Sequence, residues 1–98
     1  MGLLINGQWR DKWYDTAKTG GRFVREQSQF RHHIEARPKA DFPVEAGRHH
    51  LYVANACPWS HRVALFRRLK GLDEAISMSQ VDPVMRDDGW TFSSDNPD

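Results

Sequence analysis

The sequence predicts an α/β chain, with an irregular N-terminal extension over residues 1–48 and an incomplete βαβ unit over residues 49–98. Three observations predict it. Leu51-Tyr52-Val53 is an apolar, β-prone run that ends at Asn55-Ala56-Cys57-Pro58, a strand-to-helix turn. A helical period then brings Trp59, Val63, Phe66 and Leu69 onto one face. A second β-prone run containing Ile76, Met78 and Val81 follows beyond Gly71.

The extension holds no sustained period. Gly20-Gly21, Pro38 and residues 43–47 punctuate it, and Trp9, Trp13, Tyr14, Phe23, Phe30 and Phe42 lie among charges. That many aromatics argues against a disordered tail. The expectation is an ordered segment that wraps around another part of the protein, with one short hairpin near Phe23-Val24-Arg25. The apolar start Leu3-Leu4-Ile5 is soon interrupted by Asn6-Gly7 and is too short for a signal sequence.

The first strand is expected over residues 49–54 and the helix over 58–70. Pro58 suits the first helical position, where its missing N–H costs nothing and its fixed φ matches the first turn. Arg67, Arg68 and Lys70 crowd the last turn, where the helix dipole favours cations. Gly71 suits the left-handed residue that closes a helix. The second strand is expected over 75–81, with Ile76 and Met78 on one face and Ser77, Ser79 and Val81 on the other. Asp82-Pro83 ends it, and Asp87-Asp88-Gly89 turns the chain before Trp90-Thr91-Phe92. Two parallel strands and one helix cannot cover both faces of a sheet. With the polar stretch 93–98 behind them, they lead us to expect the N-terminal piece of a longer protein.

Composition narrows the function. Hydrophobic residues make up 39% of the chain, and the mean hydropathy is −0.74. The single cysteine excludes an internal disulfide framework and suits a reducing compartment, so a cytoplasmic location is expected. No apolar run approaches the ~20 residues of a membrane span, and no membrane partner is expected. Residues 1–48 carry nine Lys/Arg against six Asp/Glu, and residues 49–98 carry five against seven. Neither balance calls for nucleic acid. Arg22, Arg25, Arg31 and Arg37 interleave with Phe23 and Phe30, but Glu26 and Glu35 interrupt them; a solvated face is the better reading. His32-His33 and His49-His50 lack the spacing of a metal site, so no metal is expected.

The chemistry gathers at Cys57. Elsewhere a lone cysteine is as a rule a small buried apolar residue. Here it stands at a helix N-terminus, where unpaired N–H groups and the positive end of the dipole favour thiolate over thiol. The context favours a nucleophile. His61 and Arg62, in the first helical turns, are candidates to add positive charge near the sulfur, though for His61 a place on the helix surface is a better reading than a catalytic base. Trp59 suits the core as well as a ligand contact. Cys57 and Ser60 form a C-x-x-S arrangement, and a serine cannot resolve a mixed disulfide. Such a site hands its disulfide to an external thiol, in the cytosol usually glutathione.

These residues resemble a known family. Gly7-Gln8-Trp9 with Trp13-Tyr14-Asp15-Thr16, Gly21-Arg22-Phe23-Val24-Arg25 through Ser28-Gln29-Phe30-Arg31, Ala56-Cys57-Pro58-Trp59-Ser60-His61-Arg62, and Asp88-Gly89-Trp90-Thr91-Phe92 are similar in order and spacing to the N-terminal part of the glutathionyl-hydroquinone reductases, the Xi class of glutathione transferases. The resemblance implies a partial thioredoxin-like domain. The family's long extension matches residues 1–48, and its all-helical C-terminal domain would lie beyond Asp98. It further implies catalysis by Cys57 through a mixed disulfide with glutathione as co-substrate, glutathione contacts at Trp90 and Pro58, glutathione conjugates of hydroquinones as substrates, and a homodimeric full-length protein. Ser60 stands where many members carry alanine. The inherited activity belongs to the full-length parent, and the 98-residue chain alone is expected to be inactive. Two other readings stand beside this one: a glutaredoxin- or omega-like thiol transferase acting on glutathione disulfides, and a non-catalytic interaction fragment.

Overall fold

The computed structural model describes residues 2–12 and 16–93. The Trp13-Tyr14-Asp15 part of the resemblance and the polar stretch 94–98 lie outside them. Contacts divide the chain into two compact units, Met1–Val44 and Glu45–Asp98.

The first unit opens with a hairpin. Strands β1 (Leu3–Ile5) and β2 (Gln8–Arg10) pair antiparallel, with Leu3 opposite Arg10, Leu4 opposite Trp9 and Ile5 opposite Gln8. Asn6 and Gly7 join them at φ 52° and 75°, the two positive values that a type I′ turn requires. The hairpin expected near Phe23 is absent: residues 22–27 carry no strand. Asn6-Gly7 joins two runs that pair, because asparagine and glycine reach positive φ at little cost. Gly20-Gly21, just before Phe23, also takes positive φ (62° and 82°), but it ends the turn at 16–21, and among the described residues no strands pair across it. Further along, Gly21 N–H donates to Thr16 O at 2.8 Å and Glu35 N–H to Phe42 O at 2.9 Å, and the His32 and Phe42 rings lie 5.2 Å apart.

The second unit contains the predicted βαβ. Strands β3 (His50–Val53) and β4 (Ser77–Gln80) run parallel and are joined through α1 (Pro58–Leu69). The register places Leu51 beside Met78 and Val53 beside Gln80, while His50 and Tyr52 share the opposite face with Ser77 and Ser79. Both ring nitrogens of His50 are engaged on that face, Nδ1 with Ser77 Oγ at 2.6 Å and Nε2 with Ser79 Oγ at 2.8 Å. Among the described residues only Val53 and Ala54, each 4% exposed, count as buried hydrophobic core.

The closure of α1 follows the sequence. Gly71 takes φ 65°, its N–H donates to Arg68 O at 3.1 Å, and Leu72 N–H reaches Arg67 O at 2.9 Å. This is a Schellman close. The predicted apolar face, however, points outward: Trp59, Val63, Phe66 and Leu69 are between 48% and 71% exposed. The half-buried face is Ser60, Ala64 and Arg67. Arg67 is only 15% exposed, against 79% for Arg68. Its Nε donates to Ile76 O at 2.6 Å, while Nη1 reaches Asp73 Oδ1 at 3.1 Å and Nη2 reaches Asp73 O at 2.8 Å. The guanidinium therefore ties the last turn of α1 to the loop that delivers β4.

Candidate active site

The site begins where β3 ends. Ala54 O accepts the Cys57 N–H at 2.9 Å, so Asn55 and Ala56 form a tight turn between strand and helix. Cys57 is the N-cap of α1, with extended φ −96° and ψ 119°. Its carbonyl accepts the His61 N–H at 3.1 Å, the first bond of the helix. Pro58 occupies the first helical position. Three elements of the prediction thus meet in one turn: the strand end, the proline and the thiol.

An N-cap side chain faces the N–H groups of the second and third helical residues, here Trp59 and Ser60. As a neutral thiol Cys57 makes no capping hydrogen bond. As a thiolate it is a much stronger acceptor, and its pKa lies below the ordinary cysteine value. The largest cause is the Ser60 N–H; burial opposes it, and the Trp59 N–H and the Ser60 hydroxyl add to the lowering. His61 and Arg62 are exposed and are not among these causes. His61 instead lines a shallow cleft between α1 and the ends of β3 and β4, with Asn55, Ser60, Met78 and Gln80.

Ser60 is the residue that sequence reasoning passed over, having assigned it only an inability to resolve a disulfide. Its Oγ accepts the Ala54 N–H at 3.1 Å. A signal was available: the third helical residue is the one that reaches back to the N-cap in a capping box.

Trp90 comes from a separate segment. Arg86 and Gly89 exchange backbone hydrogen bonds of 3.1 and 2.9 Å around Asp87-Asp88, as the Asp-Gly signal predicts. Asp82 N–H donates to Thr91 O at 2.9 Å, and Phe92 packs edge-on against Tyr52 with centroids 5.9 Å apart. The segment is thereby fastened to the β3–β4 pair. Trp90 is half-buried, and its Nε1 is buried without a hydrogen-bond partner among the described residues. An orphan donor of this kind is costly unless something accepts from it. No group of three or more His, Cys, Asp or Glu side chains among the described residues is arranged to hold a metal ion.

Known proteins share this arrangement of sequence. The chain is 56% identical over 92 residues to the glutathionyl-hydroquinone reductase PcpF of Sphingobium chlorophenolicum, covering 94% of this chain and 28% of that protein. It is 48% identical over 103 residues to the glutathionyl-hydroquinone reductase YqjG of Escherichia coli, covering 99% of this chain and 31% of that one. The structure of a Xi-class glutathione transferase from Natrialba magadii superposes with a TM-score of 0.78 at 41% identity, over 98% of this chain and 27% of that one. The chain matches the N-terminal portion of the Xi-class glutathione transferases.

The Xi-class match makes the β3–α1–β4 unit a partial thioredoxin-like domain. The chain spans about a third or less of the length of these relatives and corresponds to their N-terminal portion. A glutathione-bound structure of YqjG also matches, with a TM-score of 0.62 and 43% identity over 69% of this chain and 24% of that one. No protein-family model matches the chain. No helix among the described residues is long and apolar enough to cross a membrane.

Proposed function

We propose that this chain supplies the nucleophile of a glutathione-dependent reductase that removes glutathione from glutathionyl-hydroquinones. The observation that carries the reading is the N-cap thiol of Cys57, facing the first N–H groups of α1, in a chain so similar to PcpF and YqjG. In the first step the Cys57 thiolate attacks the glutathionyl sulfur of the conjugate. A sulfur–sulfur bond forms and the bond from sulfur to the ring carbon breaks. The electron pair passes to the ring carbon, which takes a proton and leaves as hydroquinone. In the second step a glutathione thiolate attacks the mixed disulfide, releases glutathione disulfide and returns Cys57 as thiolate. Over the two steps one glutathione thiol and the thioether sulfur of the conjugate become the disulfide, each giving up one electron. The ring carbon takes those two electrons and a proton, so the electrons balance. Ser60 cannot resolve the intermediate, which is why an external thiol is needed.

In this reading Trp90 Nε1 is a donor for a carbonyl or carboxylate of bound glutathione, and Pro58 forms part of the wall beside the sulfur. The soluble homodimer and cytoplasmic setting expected for the full-length protein belong to the same proposal. The test compares the full-length protein with its Cys57→Ser variant on a glutathionyl-hydroquinone and on a small glutathione mixed disulfide. Cys57-dependent turnover of the first supports the reductase. Turnover of the disulfide alone would make the protein an omega-like thiol transferase.

A further inference from the structure

We infer that Ser60 is a positioning residue that orients and strengthens the Cys57 thiolate, using the buried backbone of Ala54 as its anchor. The inference rests on the proposed nucleophilic role of Cys57. Ala54 is 4% exposed, and its N–H reaches Ser60 Oγ at 3.1 Å, so this hydroxyl satisfies a donor that would otherwise be stranded at the end of β3. A hydroxyl has one proton to give and lone pairs to accept with. With one lone pair held by Ala54 N–H, the proton is left to point elsewhere. Ser60 is the third residue of α1 and Cys57 its N-cap, so the two side chains share the first turn of the helix, and the hydroxyl proton is assigned to the sulfur once it is a thiolate.

The result is a chain from Ala54 N–H to Ser60 Oγ, and from Ser60 O–H to the thiolate. Each bond polarises the next. The Ser60 hydroxyl is also among the groups that lower the Cys57 pKa. An alanine at this position would keep the helix and its N–H groups but remove the hydroxyl link between the strand end and the sulfur.

The test measures Cys57 alkylation by iodoacetamide against pH in the full-length protein, its Ser60→Ala and its Ser60→Thr variants. It needs no glutathione and no turnover, so its failure is distinct from failure of the proposed reaction. A hydrogen bond to a charged group changes the thiolate population by about tenfold. Intrinsic nucleophilicity rises by about the square root of that factor as the thiol becomes more basic. Ser60→Ala is therefore expected to react about threefold more slowly below its midpoint and about threefold faster on the high-pH plateau. Ser60→Thr, which keeps a hydroxyl, should follow the parent profile. A loss of packing alone would not produce crossed profiles. Superimposable profiles for the parent and Ser60→Ala, with far-UV circular dichroism unchanged, would overturn the inference. So would a uniform change in rate at every pH, or crossed profiles in Ser60→Thr as well.

Discussion

Replacing Arg67 with methionine removes the guanidinium and keeps an unbranched side chain of similar reach. Three hydrogen bonds go with it, to Ile76 O at 2.6 Å, Asp73 Oδ1 at 3.1 Å and Asp73 O at 2.8 Å. Each is worth about 1 kcal/mol net, and the charge no longer has to be half-buried, so the expected loss is about 2–3 kcal/mol. That is a large share of the about 5–15 kcal/mol that holds a domain together. The loss should be local. Native-state hydrogen exchange at Gly71, Leu72 and Ile76, whose N–H groups close the helix and its following loop, reads it directly. Their protection is expected to fall by about 30- to 150-fold. Arg68→Met is the control: Arg68 also reaches Asp73 Oδ1, at 3.3 Å, but is 79% exposed. Exposed pairs of this kind contribute under about 1 kcal/mol, which limits the fall to about fivefold. Equal losses of protection in the two variants would refute the assignment of Arg67 as the tie between α1 and β4.

Two further outcomes follow from the site. Trp90→Phe keeps a ring and removes the orphan N–H, so stability should hold or rise slightly while glutathione affinity, read by titration calorimetry in the full-length protein, falls by about 2- to 10-fold. A marked loss of stability with unchanged affinity would mean that Nε1 serves the fold instead. The Cys57 pKa is lowered on folding, so the unfolded chain holds that proton more tightly than the folded one. The stabilisation is present above the ordinary cysteine value and is lost as pH falls through the lower folded value. The stability difference between the parent and Cys57→Ala, followed by urea unfolding, should grow as pH rises through that window; a difference independent of pH would contradict the lowered pKa.

Much of the second unit was legible because its signals are local and agree. Pro58 and Gly71 mark the ends of α1 by the backbone conformations they allow, and the Asp-Gly turn before Trp90 is equally explicit. Cys57 stood out because a strand end and a helix start meet there. The orientation of α1 was not legible. An apolar period says which residues share a face, but not which neighbour that face meets, and here Ser60, Ala64 and Arg67 lie on the half-buried side. Arg67 looked like a surface cation answering the helix dipole, because its three acceptors, two of them backbone carbonyls, lie in a loop whose path no residue pattern records. In the sequence Ser60 stands out only for the disulfide chemistry it lacks, while in the fold its Oγ accepts a backbone N–H from six positions earlier. In the first unit, Asn6-Gly7 appears in the sequence as the end of an apolar run, whereas its positive φ values make it the turn of a hairpin.

The central claim is that Cys57 takes the glutathionyl group from the conjugate, and the intermediate itself tests it most directly. The full-length protein is mixed with a glutathionyl-hydroquinone, with no free glutathione added, and its intact mass and peptide map are recorded. The account predicts one glutathionyl adduct, located on Cys57, with one hydroquinone released per protein chain and no adduct in Cys57→Ser. Release of hydroquinone without an adduct on Cys57, or an undiminished adduct in Cys57→Ser, would contradict it.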